Sequence, residues 1–333
     1  MSYKSSSVVL CTIIIPLDLL DYKLQGRIFR EFCVTPLRAC NWYYLLDGAQ
    51  KLRWTMRNFV REKKIYCGKN YLEVDLYSLS EFQIEIKKGK RSKKKYVSLP
   101  KQEKMNDKNA RRRFIQLAET NFGQDDIFLS LTYKDKYLPK SYEDAQREIR
   151  NYLRRLRDRM KAQGVEEELK YIVITSMREP KGDDKGVRYH HHLLLSCGLD
   201  RDMIEDCWRR PRRKGEEKGD LIGYPDSKRI QEDINTGILG LANYLAKHTS
   251  YKRKWSCSQN LERPFERTND RKYSRKRLIQ YALDPYDIER WEKIYPGWTV
   301  ADKDLGIEAR YNDFTGWAVY LKLRRKINHK LLE

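Results

Sequence analysis

The run Arg188-Tyr189-His190-His191-His192-Leu193-Leu194-Leu195-Ser196 constrains this chain more than any other segment. As a β-strand it sends alternate residues to opposite faces, and the two faces differ. One carries Arg188, His190, His192, Leu194 and Ser196; the other carries Tyr189, His191, Leu193 and Leu195. Such a strand turns an apolar back to a core and a polar front to a site. Three of the chain's five histidines lie here. Two neutral imidazoles two residues apart on one strand face can hold one divalent ion, with a carboxylate completing the shell. The competing reading is one buried histidine with two solvated ones.

Charge narrows the class of partner. The 333 residues hold 69 Lys plus Arg against 47 Asp plus Glu, a net charge of +22. With 40% hydrophobic and 12% aromatic residues the composition is that of a folded protein, long enough for two domains or one with large extensions. Such an excess of positive charge is expected to bind a polyanion, and aromatic residues interleaved with basic ones favour nucleic acid over a membrane surface. The longest apolar stretch, residues 8–20, is broken by Pro16 and Asp18 and is too short to span a bilayer, so no membrane attachment is expected. The seven cysteines are odd in number and form no C-x-x-C pair; they read as reduced thiols of a cytoplasmic protein. No G-x-x-x-x-G-K-S/T motif occurs, so no nucleotide cofactor is expected and unwinding would fall to a partner.

The pattern along the chain predicts an α+β fold. Residues 8–15 read as a strand, 30–61 as a helix, and 87–95 as a basic loop, solvated or tracking phosphates. Residues 107–121 read as a helix and 127–133 as an alternating strand. A helix over 142–162 carries the stripe Ala145, Ile149, Tyr152, Leu153, Leu156 and Met160, with Ser141 as N-cap. An apolar strand at 171–175 pairs as a hairpin with the histidine strand, and helices follow near 200–209 and 235–249. The order implies an antiparallel sheet with helices on one face. Three regions result: a basic N-terminal accessory region (1–106), a core (107–265) and an aromatic, β-rich C-terminal extension (266–333).

The last of those helices has a core stripe of Ile238, Leu241, Ala242 and Leu245, which leaves Tyr244 and Lys247 on a flank shared with Gly237 and Gly240. Each helical glycine costs about 1 kcal/mol, and their lack of bulk would let a ligand backbone approach. The plainer alternative is a boundary tyrosine beside a solvated lysine.

Taken together, Phe128-Leu129-Ser130-Leu131-Thr132-Tyr133, His190-His191-His192 and Tyr244-x-x-Lys247 resemble, in order, the three motifs of HUH endonucleases. The closer resemblance is to the rolling-circle replication initiator (Rep) branch of phages, plasmids and integrative elements, and it extends over about residues 105–325. Residues 255–264 (WSCSQNLERP) are also similar to that branch. In conjugative relaxases the tyrosine precedes the histidines; here it follows them. The resemblance implies an HUH/RRM-like core that nicks single-stranded DNA at a replication origin. Tyr244 would become a 5′-phosphotyrosine, leaving a free 3′-OH for a host polymerase, and the strands would later be rejoined; a host helicase is a further expected partner.

The residue roles follow from the same resemblance. His190 and His192 would hold Mg²⁺ or Mn²⁺. A phenol (pKa about 10) is a poor nucleophile, and Lys247, one turn from Tyr244, would favour its ionised form or contact phosphate. Ser130, Thr132 and Arg188 are expected to contact DNA. Tyr251 joins them, since two-tyrosine initiators space the pair by four residues and not seven. Ser176 stands where relatives carry Glu as third metal ligand; Glu179 is the substitute expected here, with Asp183 and Asp184 left open. His191 replaces a bulky apolar residue and is expected as a neutral core imidazole. Two rival readings are an HUH-type transposase and a non-catalytic single-stranded DNA-binding protein.

Overall fold

Two antiparallel sheets share one long helix, and that arrangement places the histidine strand. The computed structural model describes residues 58–81, 83–84, 99–179, 187–233, 236–247, 254–302 and 306–326, all within the unit Arg57–Glu333. In chain order the first elements are β1 (Asn58–Cys67), β2 (Tyr71–Ser80), α1 (Pro100–Asn121), β3 (Ile127–Leu131), α2 (Tyr142–Ala162), β4 (Lys170–Arg178) and β5 (Arg188–Ser196). They are followed by α3 (Arg201–Asp206), β6 (Pro225–Arg229), α4 (Leu239–Lys247), β7 (Ser256–Cys257) and β8 (Phe265–Tyr273). The chain continues through α5 (Arg275–Leu283), α6 (Ile288–Ile294), β9 (Trp298–Val300), β10 (Ile307–Asn312) and β11 (Gly316–Arg325).

The central sheet runs β6-β3-β5-β4-β7. Alternation in β3 buries Ile127, Leu129 and Leu131, and these meet Leu193 and Leu195 of β5 under α2. α2 begins where expected, because the Ser141 hydroxyl accepts from the Asp144 N–H. Its six stripe residues are all buried, each large one contributing about 1.5–3 kcal/mol through lost apolar surface. Trp208, after α3, completes this core and donates its indole N–H to the Thr132 carbonyl at 2.9 Å. The opposite face of the sheet offers Phe128, Ile172, Ile174 and Leu194, over which α1 and α4 pack. The α+β class with antiparallel strands is the one expected. The second face takes helices too, because those four residues make it apolar as well.

The flanks form one structure. β1 and β2, from before the central sheet, pair with β8 and β11, from after it, in the order β10-β11-β2-β1-β8, with β9 on the outer part of β11. α5 and α6 cover one face through Val60, Leu72, Val74, Leu76, Val319 and Leu321. The alternate residues of β2 face α1: Arg112 pairs with Glu73 at 2.6 Å and Asp75 at 2.7 Å, and Gln116 donates to Glu73 at 2.8 Å. α1 therefore touches both sheets and runs through the boundary drawn at residue 106.

Some sequence expectations shift. The helix expected over 30–61 does not reach its end, because Asn58 already starts β1, and 30–57 lie outside the described residues, as do 8–15 and 87–95. The C-terminal extension contains α5 and α6 as well as strands. Cys67, Cys197, Cys207 and Cys257 are free thiols. Among the described residues no helix is long and apolar enough to cross a membrane.

Candidate active site

Strand alternation sorts the three histidines. His191 points into the α2 core and is fully buried. Tyr133 Oη lies 2.7 Å from its Nε2, and Thr175 Oγ1 lies 2.9 Å from its Nδ1. Gln146 donates to the same Thr175 hydroxyl at 2.6 Å, so the threonine proton goes to Nδ1 and the imidazole carries its own proton on Nε2, shared with Tyr133. Burial pushes the His191 pKa down to about 3, helped by the neighbouring His190 and His192. The neutral core imidazole expected from the sequence is what the fold contains.

His190 and His192 share the other face, their rings 5.0 Å apart and nearly perpendicular. The pairing register sets Ser130 of β3 opposite His192, and Ser176 of β4 opposite His190. Ser130 Oγ lies 3.1 Å from His192 Nδ1, and the Phe128 ring stacks against the same imidazole at 5.9 Å. Hydroxyl and phenyl together fix the ring plane, which leaves Nε2 as the atom suited to a ligand.

α4 lies over this face. Leu239, Ala242, Leu245 and Ala246 are its buried residues. The helix thus presents Tyr244, 49% exposed, with its ring centroid 6.4 Å from that of His192. Lys247 is exposed one turn further on. The lead into α4 explains one glycine: Gly237 precedes the helix, has φ +58°, and a Cβ there would overlap the Arg324 guanidinium. It serves a tight turn under Arg324 and not the approach of a ligand to the helix flank. Gly240 is exposed with open space around it, as that flank reading requires.

The remaining expected residues are placed unevenly. Thr132 bonds the Tyr224 backbone, donating to its carbonyl at 3.1 Å, and so ties β3 to the lead into β6. Arg188 pairs with Asp135 at 2.6 Å. Glu179 is exposed, one residue past the end of β4. Among the described residues, no three His, Cys, Asp or Glu side chains form a group that could hold a metal ion. Asp183, Asp184 and Tyr251 lie outside the described residues.

Two residues near the site had no sequence signal of their own. Phe128 reads only as an alternating strand position. Arg324, from the far end of the chain, donates to the Thr236 carbonyl at 3.1 Å and pairs with Glu119 at 3.2 Å and Glu232 at 3.4 Å. It clamps the turn that starts α4, and only the pairing of β11 with β2 brings it there.

Residues 126–252 match the ORF2 family of replication-associated proteins. The match opens at β3 and takes in the histidine strand and α4, so this segment is that of a rolling-circle Rep-type replication-associated protein. A role in replication initiation goes with that class. No curated protein and no solved structure matches the chain.

Proposed function

We propose that the protein is a rolling-circle replication initiator that nicks and rejoins single-stranded DNA through Tyr244. The observation that carries this is the placement of a half-exposed tyrosine on α4 directly over the His190/His192 face. In the reaction, Tyr244 Oη attacks the scissile phosphorus in line. The P–O3′ bond breaks as the P–Oη bond forms, the phenol proton passes to solvent, and the 3′ oxygen leaves as a hydroxyl. The phosphotyrosine keeps the bond energy of the phosphodiester, so a 3′-OH can later reverse the step.

The two imidazoles fit a divalent ion as a pair: they are neighbours on one face, and the Ser130 bond orients one of them. Mg²⁺ or Mn²⁺ bound there would polarise the phosphate and offset its developing charge. Glu179 is the proposed third ligand. Lys247 contributes a cation beside the nucleophile, while Ser130, Thr132, Arg188 and Tyr251 contact the strand. The 3′-OH is then extended by a host polymerase behind a host helicase, in the host cytoplasm.

The test is a denaturing gel of protein incubated with a pool of single-stranded oligonucleotides containing the replicon's origin, with Mn²⁺ or EDTA. A covalent band is expected with Mn²⁺ only. It should vanish in Tyr244→Phe, and fall roughly 10–100-fold in Ser130→Ala through loss of the ring-orienting bond. Binding with no adduct under any metal would favour the non-catalytic reading, to which the serine opposite His190 also points. An adduct that survives in Tyr244→Phe and is lost in Tyr251→Phe would move the nucleophile.

A further inference from the structure

The far end of the flank sheet carries an aromatic tip that the candidate active site does not use. β10 and β11 are joined by a turn in which Asn312 Oδ1 accepts from the N–H groups of Phe314 (2.9 Å) and Thr315 (3.3 Å). Gly316 closes the turn at φ +76°. The backbone is thus preorganised, yet it holds Phe314 at 95% exposure. Tyr311 at the base of the tip is 60% exposed and meets Trp317 edge-on at 5.3 Å. A pocket of about 330 Å³ joins these rings to Arg275 and Ile279 of α5.

α5 breaks a rule in the same place. Its first turn is Arg275-Lys276-Arg277 with no acidic residue, and all three side chains are exposed. Cations at a helix N-terminus oppose the positive end of the macrodipole. An exposed ring on a rigid turn is likewise unfavourable in water. One ligand offsets both: a polyanion with π faces. Bases inside a duplex are already stacked, whereas those of a single strand have faces to offer.

We infer that this end of the flank sheet is a second DNA-contact surface, stacking bases of single-stranded DNA on Phe314 and Tyr311 and holding phosphates with Arg275, Lys276 and Arg277. Gly316 lies eight residues along β11 from Arg324, roughly 26 Å at strand rise, and Arg324 marks the entry to α4. The surface therefore engages strand remote from that entry, and binding there does not require nicking.

The experiment uses the full chain carrying Tyr244→Phe, so that no adduct forms, and a fluorescent thirty-residue oligo-dT read by anisotropy. Phe314→Ala with Tyr311→Ala should weaken binding about 10-fold or more. Replacing Arg275, Lys276 and Arg277 by Ala should flatten the slope of log K against log salt by about 2. Unchanged melting temperatures check that these surface variants are folded. Unaltered affinity and slope in both folded variants would overturn the inference. So would loss of self-association in sedimentation with DNA affinity intact, which would make the tip a contact between copies. The two readings fail separately: without an adduct in the parent chain the nicking proposal falls, while a drop in oligo-dT affinity in Phe314→Ala would still uphold this one.

Discussion

His191 is held neutral in the core by burial and by two hydrogen bonds, while the imidazoles on either side of it face the candidate site. This has a pH consequence with a definite sign. The unfolded chain takes up a proton on this residue near pH 6.5, whereas the folded one does so only near pH 3. Between those values the unfolded state binds more protons, so stability is full above about pH 6.5 and is lost as pH falls toward 3, by up to about 1.4 kcal/mol per unit. Urea titrations at pH 7.5 and 5.5 should show a larger loss for the native chain than for His191→Gln; an equal loss would refute the buried neutral imidazole. The sequence showed this residue's face, because strand alternation is a local property. It did not show Tyr133, Thr175 and Gln146 around it, which come from β3, β4 and α2.

Among the elements, α4 matters most, since its entry turn sets where Tyr244 stands. Gly237→Ala is expected to cost about 1–3 kcal/mol from positive φ alone and to push against Arg324. Arg324→Met should cost about 3–5 kcal/mol by leaving Glu119 and Glu232 without their cation. Both should lower adduct formation by more than the accompanying loss of bulk stability explains, because the turn and the nucleophile share one short helix. A variant with normal adduct yield and a lowered melting temperature would reduce the clamp to a purely stabilising role. The sequence pattern located this helix and its tyrosine. The role of Gly237 was misread there, because a backbone angle and a contact from residue 324 leave no trace in local periodicity.

Over the molecule as a whole, the flank sheet closes the chain on itself. β2 pairs with β11 and β1 with β8, so neither flank can complete its strands alone. A chain ended at Pro264 would bare the partners of β8 and β11 along β1 and β2, together with the core face of Val60, Val74 and Leu76. Unpaired strand edges and exposed apolar faces drive aggregation, so this truncation should be insoluble or polydisperse in size-exclusion chromatography, and a monodisperse product would contradict it. The three regions expected from composition have no counterpart in how these strands pair: the N-terminal and C-terminal flanks supply one sheet between them.

Local, periodic features are legible in the chain alone. Alternation placed His190 and His192 on one face and His191 on the other. The α2 stripe and the Ser141 cap set that helix, and the order of the three motifs pointed to the Rep class that residues 126–252 match. The partners across from those residues emerge only in the folded arrangement. Ser130 reached His192, Ser176 came to face His190, Tyr244 came to lie over the pair, and Arg324 locked the turn before it. Each of these contacts joins residues far apart in the chain. Their free energy comes from burying surfaces that meet only after strands have registered, a quantity that neighbouring residues along the sequence do not encode.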